Sequence, residues 1–315
     1  MKRTFLYLNI TTPELRRSQN RFCNGNTYPE IPGSLKFRHS WIKSICIILL
    51  MLSSINSISQ SKCNVTYIAN EGFLIETANK KILIDAIFSL NDGDSYVSPT
   101  IETKSKLENA ISPFNNIDVI AITHQHRDHF NAAMVIKHLA NDSNCLLFCP
   151  KQADLSLRKC GGYDSIKSNI EAITPLMFND TIIKFNDIEI KVLRLEHSGP
   201  LEQRQMEHIG FLFEVNGIKI FHSGDTNPWN EEEYRALNLK DEQIDIAFLH
   251  RDFIYNSQTL AIMNKYISPK NIILMHIESS SLQKYKDKAE QIGGTIPDLH
   301  IFNKAMESKT YIFNK

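Results

Sequence analysis

The stretch Thr123-His124-Gln125-His126-Arg127-Asp128-His129 places three histidines and one aspartate within six consecutive positions. It follows the apolar run Ile117-Asp118-Val119-Ile120-Ala121-Ile122, which predicts a buried strand of a mainly parallel sheet. A helical pattern begins soon after the cluster, with Met134 at its first inward position. The cluster is therefore predicted to lie on a strand-to-helix loop, at the strand end where open α/β sheets bind ligands.

The spacing within this cluster suits a metal site. In an extended or turning backbone, His124 and His126 point the same way and can share one cation. Asp128 and His129 come from the next turn and can reach a second cation nearby. Neutral imidazole and carboxylate are the ligands that zinc takes when a site must stay open to water. The alternative is a polar loop that is merely rich in histidine.

The pattern His-x-His-x-Asp-His after a buried strand resembles the metallo-β-lactamase superfamily of metal-dependent hydrolases. The resemblance covers about residues 64–315, and four further residues at the ends of apolar runs support it. They are Asp85 in Lys81-Ile82-Leu83-Ile84-Asp85, His197 in Leu195-Glu196-His197, Asp225 in Ser223-Gly224-Asp225-Thr226, and His276 in Leu274-Met275-His276. Each alone is weak, and together in this order they indicate the family.

This resemblance implies an α+β fold, a four-layer αββα sandwich with the metal residues on loops at one edge. It also implies two divalent metal ions, with zinc favoured and manganese or iron as alternatives. The first metal would be held by His124, His126 and His197, the second by Asp128, His129 and His276, with Asp225 bridging both. Asp85 would brace the histidine loop without binding metal, and the polar loop 89–100 would lie near the mouth of the site.

The predicted function is binuclear, metal-dependent hydrolysis of an ester-type bond in a small-molecule substrate. Two cations about 3.5–4 Å apart can share a hydroxide as the nucleophile and polarise the substrate. Asp128 has a second predicted role as a catalytic residue that orients the water or passes its proton to the leaving group. His250, after the apolar run 244–249, is a candidate catalytic acid, or it simply ends its strand.

Within the superfamily, Gly72-Phe73-Leu74-Ile75-Glu76 and Ser223-Gly224-Asp225-Thr226 most resemble the branch that contains ascorbate-6-phosphate lactonase and N-acylphosphatidylethanolamine phospholipase D. That branch favours lactone or phosphodiester hydrolysis. A β-lactam substrate is less favoured, because the true β-lactamases carry cysteine or serine near the position of Asp225. Arg204, in the polar loop after His197, is either a binding group for an anionic substrate or a solvated loop charge.

A different class of function stays open, namely a non-catalytic metal-binding protein of the same fold. Nucleic-acid processing is disfavoured, because Lys+Arg and Asp+Glu both total 35 and leave no net positive charge for a polyanion. No nucleic-acid partner is therefore expected. The oligomeric state is not indicated by the sequence.

The N-terminal part divides into two predicted segments. Residues 1–40 show no sustained periodicity and are predicted to be a disordered extension or an artefact of start assignment. Residues 41–59 resemble a signal peptide, with a short apolar core after Lys43. Cleavage after Ser59 would leave residues 60–315 as one hydrolase domain, exported to the periplasm or secreted. An uncleaved membrane anchor, a lipid on Cys63 and a buried helix of the domain are the alternatives.

Cleavage would leave four cysteines, namely Cys63, Cys145, Cys149 and Cys160. Cys145 and Cys149 would lie roughly 13 Å apart in one extended strand, which is too far for a disulfide between them. Cys160 could pair with either of them, and four free thiols are equally compatible with the sequence.

Overall fold

A computed structural model describes residues 60–90, 95–294, 296 and 298–314. The predicted extension (1–40) and the signal-like segment (41–59) lie outside the described residues, so cleavage and export stay predictions. In the described part of the chain, no helix is both long enough and apolar enough to cross a membrane.

The described residues form fourteen strands in two sheets of seven. The strands are β1 (Gln60–Ala69), β2 (Gly72–Glu76), β3 (Lys81–Ile84), β4 (Val119–Ala121), β5 (Leu146–Cys149), β6 (Ile170–Ala172), β7 (Asp180–Phe185), β8 (Ile188–Leu195), β9 (His208–Val215), β10 (Ile218–His222), β11 (Ile246–His250), β12 (Asn271–Met275), β13 (Asp298–His300) and β14 (Ser308–Asn314).

The α-helices of the described residues lie between these strands. They are α1 (Ile101–Glu108), α2 (Ala132–Asn141), α3 (Lys151–Leu157), α4 (Tyr163–Ile166), α5 (Leu201–Arg204), α6 (Glu231–Leu237), α7 (Ser257–Ile262) and α8 (Leu282–Ile292). A π-helical turn, Met263–Ile267, continues α7. Short 3₁₀ turns cover Lys167–Asn169, Leu239–Glu242, Arg251–Ile254 and Ser279–Ser281.

The two sheets have the same internal plan. The first sheet has the order β14-β1-β2-β3-β4-β5-β6 and the second β13-β12-β11-β10-β9-β8-β7. In each sheet one half pairs antiparallel, and the other half, from β3 to β6 or from β10 to β13, pairs parallel. The parallel strands end at a common edge, and the site residues follow them.

The sheets pack face to face through an apolar core. Phe73 of β2 lies with its ring centroid 4.6 Å from that of Phe248 of β11, so this pair joins the two sheets. Helices α2 and α3 cover the outer face of the first sheet through buried residues such as Val135. Tyr234 and Ile262 do the same on the second sheet. The result is the predicted four-layer αββα sandwich, because each sheet buries one face on its partner and the other under helices.

Local sequence explains several element boundaries. Asn216 and Gly217 both have positive φ, at 50° and 73°, which is the backbone that a tight hairpin between β9 and β10 requires. Asn131 begins α2 because its side chain accepts a hydrogen bond from the backbone N–H of Met134 at 3.1 Å. These two boundaries follow from short-range chemistry.

Three boundaries differ from the sequence prediction, which places a strand from Val65 to Ile68, a helix from Ile101 to Ile111 and a strand from Ile244 to Leu249. Strand β1 begins at Gln60 rather than near Val65, because it pairs with β14 from the other end of the domain. The helix expected up to Ile111 ends at Glu108. The strand expected at 244–249 runs from Ile246 to His250, so His250 belongs to the strand itself.

The cysteines of the described residues are free thiols. Cys63, Cys145 and Cys149 are buried in the core, and Cys160 is half-buried. Burial raises the pKa of the Cys63 thiol to about 12. Such thiols are unreactive, because the thiolate is the nucleophilic form.

Candidate metal centre

The loops after five parallel or adjacent strands converge at one edge of the sandwich. Asp85 follows β3, the histidine loop follows β4, His197 follows β8, Asp225 follows β10 and His276 follows β12. All seven predicted metal residues therefore meet in one place. They form two groups, His124, His126, His197 and Asp225 in one, and Asp128, His129 and His276 in the other, and within each group the candidate ligand atoms lie within 4.8 Å of one another.

Asp225 lies between the two groups. Its Oδ2 is 3.5 Å from Nε2 of His197 and 3.8 Å from Nε2 of His124. The same oxygen is 3.3 Å from Nε2 of His276, and Oδ1 is 3.4 Å from Nε2 of His129. One carboxylate can thus serve both groups at once.

Several buried atoms of this cluster make no hydrogen bond within the described part of the chain. Nε2 of His129, Nε2 of His197 and Oδ1 of Asp225 are buried and make no hydrogen bond with the described residues. Each unsatisfied buried polar atom costs about 1–3 kcal/mol, so a cation that binds these atoms would stabilise the arrangement. Imidazole nitrogens with carboxylate oxygens are a donor set for divalent transition metals. The residues fit two cations.

Protonation in the first group favours ligation. Burial lowers the pKa of His124 well below its ordinary value and the pKa of His126 to about 4. Both imidazoles are therefore neutral at pH 7 and keep a lone pair for a cation.

In the second group, carboxylates and imidazoles shift each other's pKa. Burial alone would raise the pKa of Asp128, but His129 and His276 outweigh burial and lower it to about 2. The carboxylates of Asp225 and Asp128 overcome burial at His129 and raise its pKa well above the ordinary value. A cation at this group would therefore displace a proton from His129, so its affinity falls as the pH falls.

Asp85 lies directly behind the histidine loop. Its Oδ1 accepts the backbone N–H of Thr123 at 2.8 Å, and its Oδ2 accepts from Nδ1 of His129 at 2.9 Å. The Thr123 hydroxyl donates to Oδ2 of Asp85 at 2.5 Å, so it accepts from Nδ1 of His124 at 3.0 Å. Both imidazoles consequently carry their proton on Nδ1 and turn Nε2 toward Asp225.

His276 and His250 form a second histidine pair. His276 has a positive φ of 57°, a strained conformation for a non-glycine residue. Its Nδ1 lies 2.8 Å from Nη1 of Arg251, 3.2 Å from Nε2 of His250 and 3.3 Å from the hydroxyl of Tyr96. Nδ1 of His250 faces the backbone N–H of Asp252 at 3.3 Å. His250 therefore faces His276 with one ring nitrogen and its own turn with the other.

Sequence reasoning missed two residues in the turn before β2. Asn70 donates from Nδ2 to Oδ2 of Asp128 at 3.2 Å and so holds that carboxylate. Glu71 is fully buried, and its Oε2 lies 3.8 Å from Nδ1 of His129. Burial, and then the charge of Asp225, raise the pKa of Glu71 well above its ordinary value. Asn70-Glu71-Gly72 has the sequence of a turn between two strands, and no short-range pattern shows what a turn faces.

A third missed residue is Glu233, in the first turn of α6. Its carboxylate accepts the backbone N–H of Glu196 at 2.7 Å and the hydroxyl of Thr226 at 3.2 Å. Glu196 precedes His197 and Thr226 follows Asp225, so one buried side chain links the loops that carry both. The backbone N–H of Ser198 also donates to the carbonyl of Asp225 at 2.7 Å. The two loops are thereby held at a fixed separation.

Gly224 is needed for the approach of these loops. It has a positive φ of 55°, and a Cβ there would lie 2.5 Å from Nε2 of His208 and 3.0 Å from Cβ of Thr123. His208 was expected to be a surface or core residue and is a buried core residue beside His124. Any larger residue at 224 would force His208, Thr123 or the backbone of this loop to shift.

An open cavity of about 940 Å³ lies over the cluster. It is lined by the described residues Tyr96, Gln125, His126, Arg127, Asp128, His197, Ser198, Gly199, Gln203, Arg204, Asp225, Asn227, Trp229, His250, Arg251, Asp252 and His276. Tyr96 comes from the loop that was expected near the mouth. The cavity gives a small molecule direct access to the residues between the two groups.

Comparison with known proteins agrees with this geometry. A UPF0173 metal-dependent hydrolase of Polynucleobacter asymbioticus is 23% identical over 235 residues, which is 72% of this chain and 78% of that protein. A UPF0173 metal-dependent hydrolase of Pelotomaculum thermopropionicum is 28% identical over 236 residues, 72% of this chain and 89% of that protein. The crystal structure of the metallo-β-lactamase fold protein YhfI from Bacillus subtilis has a TM-score of 0.53 at 11% identity, covering 80% of this chain and 100% of that one.

A family model gives the assignment. The model of the β-lactamase superfamily domain matches residues 80–277, a range that includes Asp85, the histidine loop, His197, Asp225 and His276. The α+β sandwich, the edge position of the cluster and this match agree with one another. The chain therefore belongs to the β-lactamase superfamily.

Proposed function

We propose that this chain is a hydrolase with a two-cation centre that cleaves an ester-type bond, with lactones and phosphodiesters as the favoured substrates. The observation that carries the proposal is the position of Asp225 between two groups of His and Asp side chains under an open cavity. Membership of the superfamily and the metal-dependent hydrolases among the relatives support the coarser statement, metal-dependent hydrolysis.

The candidate residues for holding the cations are those named from the sequence. His124, His126 and His197 would bind one, Asp128, His129 and His276 the other, with Asp225 shared. When bound, the two cations would supply Lewis-acid polarisation of the substrate and a water of lowered pKa. Zinc is favoured, and manganese or iron suits the same ligands.

Asp128 would orient the attacking water. Its carboxylate is ionised at neutral pH and lines the cavity, and Asn70 holds it from behind. An ionised, fixed carboxylate can accept a hydrogen bond from water, which supports the orienting role. With a pKa of about 2 it is a weak proton acceptor at pH 7, so proton transfer through Asp128 has less support.

His250 has more support as a positioning residue than as an acid. If Nε2 of His276 binds a cation, Nδ1 carries the proton and needs an acceptor. Nε2 of His250, at 3.2 Å, can accept it when Nη1 of Arg251, a donor 2.8 Å from the same nitrogen, turns to the carbonyl of His276. Burial lowers the pKa of His250 well below its ordinary value, so the ring is neutral and carries one proton. Nε2 has a lone pair when that proton is on Nδ1, which then faces the carboxylate of Asp252 at 3.6 Å instead of accepting the backbone N–H of Asp252. His250 would then fix the tautomer of His276.

The alternative function, a metal-binding protein without turnover, would be supported by the loss of a metal ligand. The open cavity and the retention of every predicted ligand favour an enzyme instead. A bis-aryl phosphodiester and an acyl lactone, offered to the full chain with zinc or manganese, test the proposal. We expect turnover of at least one ester and a loss of at least roughly 100-fold in His126→Ala. His300→Ala, a histidine outside the cavity, is the control. No turnover of either ester with either metal would contradict enzymatic hydrolysis.

A further inference from the structure

We infer that the cavity accepts a small, polar substrate with an anionic group, a carboxylate or a phosphate, placed away from the bond that is cleaved. This inference rests on the proposed function, because it concerns the substrate of the same site. The metal ligands alone do not distinguish a small, polar ester from one with a long acyl chain. The lining of the cavity favours the small, polar ester.

The charges that line the cavity give the first argument. Apart from the candidate metal residues, the charged residues of the described lining are Arg127, Arg204, Arg251 and Asp252. The carboxylate of Asp252 lies 3.8 Å from Nε of Arg251 and 3.6 Å from Nδ1 of His250, so it already faces cationic or polar groups. Outside the candidate metal residues, three arginines face one aspartate, and such an excess of positive charge along a cavity raises the local concentration of anionic ligands.

Two of these arginines are held in place. Arg251 is half-buried and donates to the carbonyl of His276, and its Nη1 lies 3.5 Å from the hydroxyl of Tyr96. Arg204, at the end of α5, donates from Nε to the carbonyl of Gly199 at 2.9 Å. A restrained guanidinium loses less side-chain entropy on binding, and its terminal nitrogens match the two oxygens of a carboxylate or phosphate.

The uncharged lining gives the second argument. Among the described residues around the cavity, no side chain is aliphatic, and the amides of Gln125, Gln203 and Asn227 contribute hydrogen-bonding groups. Sites for apolar ligands are lined mainly by hydrophobic side chains, so a long acyl chain finds no matching wall here. Trp229, 39% exposed, offers one flat face for a ring.

Trp229 also provides a direct measurement of binding. The chain has two tryptophans, so Trp41→Phe leaves Trp229 as the only one. We would titrate the metal-loaded full chain with that substitution, using glucose 6-phosphate, gluconate and glucose as phosphate, carboxylate and neutral probes. The readout is the fluorescence of Trp229, which is independent of turnover. Arg204→Gln removes the proposed anion contact, Arg204→Lys keeps the charge, and Arg235→Gln, an exposed arginine outside the cavity, is the matched control.

The expected result is that one or both anions bind at least roughly tenfold more tightly than glucose, as a charge-assisted contact provides. Arg204→Gln should remove most of this preference, Arg204→Lys should restore part of it, and Arg235→Gln should leave it unchanged. Tighter binding of glucose 6-phosphate or of gluconate shows whether the cavity prefers a phosphate or a carboxylate. The inference is overturned if glucose binds as tightly as both anions, if the preference survives Arg204→Gln, or if no probe perturbs Trp229 up to roughly 10 mM.

The same preparations separate this inference from the proposed function. If the chain hydrolyses the test esters but shows no preference for anions, the proposed function stands and only the inferred substrate class is overturned. Anion binding that depends on Arg204, with no hydrolysis of any ester, would support the cavity's selectivity and count against the proposed function.

Discussion

Oδ2 of Asp225 lies 3.3 Å from Nε2 of His276, although the two residues follow strands β10 and β12, which are separated in the sheet by β11. The same oxygen reaches His197 on the opposite side at 3.5 Å. The carboxylate of Asp225 therefore contacts histidines from both halves of the second sheet, His197 after β8 and His276 after β12. This relationship makes a shared two-cation centre the simplest account of the buried, unpaired nitrogens around it.

Replacement of Asp85 tests how the histidine loop is held. Asp85→Asn keeps the shape but can no longer accept hydrogen bonds on both oxygens from Thr123 and His129. We expect metal affinity to fall roughly 10- to 100-fold, as is usual when the partner of a ligating histidine is removed. A chelator competition titration measures this, and Asp164→Asn, an exposed aspartate paired with Lys167, is the control. Unchanged metal affinity in Asp85→Asn would show that the histidine loop keeps its conformation without Asp85.

Substitutions of His250 distinguish a positioning role of this residue from a role as a catalytic acid. His250→Gln can still accept a hydrogen bond from Nδ1 of His276 through its side-chain oxygen, but it cannot act as an acid near neutral pH. A positioning role predicts that His250→Gln keeps kcat within roughly tenfold with an unchanged pH profile, and that His250→Leu loses metal from the second group. A loss of roughly 100-fold or more in kcat for both variants, with loss of one limb of the pH profile, would instead favour the acid role.

Glu233 gives a prediction for stability against pH. Burial raises the pKa of Glu233 to about 8 in the folded chain, from an ordinary value of 4.5. Between these values the folded state binds more protons than the unfolded state, so this group's contribution to stability is complete below the unfolded pKa. It is lost as the pH rises through the folded pKa. The largest slope for one group is about 1.4 kcal/mol per pH unit.

Glu233→Gln should remove this slope. Its amide can accept from the N–H of Glu196 and pair with Thr226, as the protonated acid does. Urea unfolding of the metal-free chain from pH 5 to pH 9 should therefore show the variant gaining stability relative to the wild type as the pH rises. Parallel curves for the two proteins would mean that Glu233 does not change its protonation on unfolding.

Phe73 tests the contact between the sheets. Its ring is fully buried and packs against Phe248 of the opposite sheet at 4.6 Å. Phe73→Ala should destabilise the domain by about 3–5 kcal/mol, the usual cost of removing a buried phenyl group. Ile312→Ala, at a side chain that is 59% exposed, should cost less than about 1 kcal/mol in the same denaturation experiment. Equal effects would show that the core between the sheets does not depend on this contact.

The sequence was sufficient for the features that local chemistry determines. Asn216-Gly217 indicated its hairpin because both positions need positive φ. The strand-end positions of His124, Asp225 and His276 followed from apolar runs. Such signals lie within a few residues of the feature that they predict.

Features that depend on distant contacts could not be predicted in this way. The start of β1 depends on pairing between Gln60 and Asn314, which only the folded chain brings together. Asn70 and Glu71 lie in a segment with the composition of a turn, and Glu233 lies in a predicted helix that was given no role in the site. Their roles come from the side chains that they face, which lie on other strands and loops.

The metal content of the purified full chain tests the central claim most directly. After incubation with zinc or manganese and removal of free ions, elemental analysis should find about two metals per chain. Asp225→Asn should lower that number to one or fewer, because the shared carboxylate serves both groups. One metal or none in the wild type, or two metals that persist in Asp225→Asn, would contradict a two-cation centre built around Asp225.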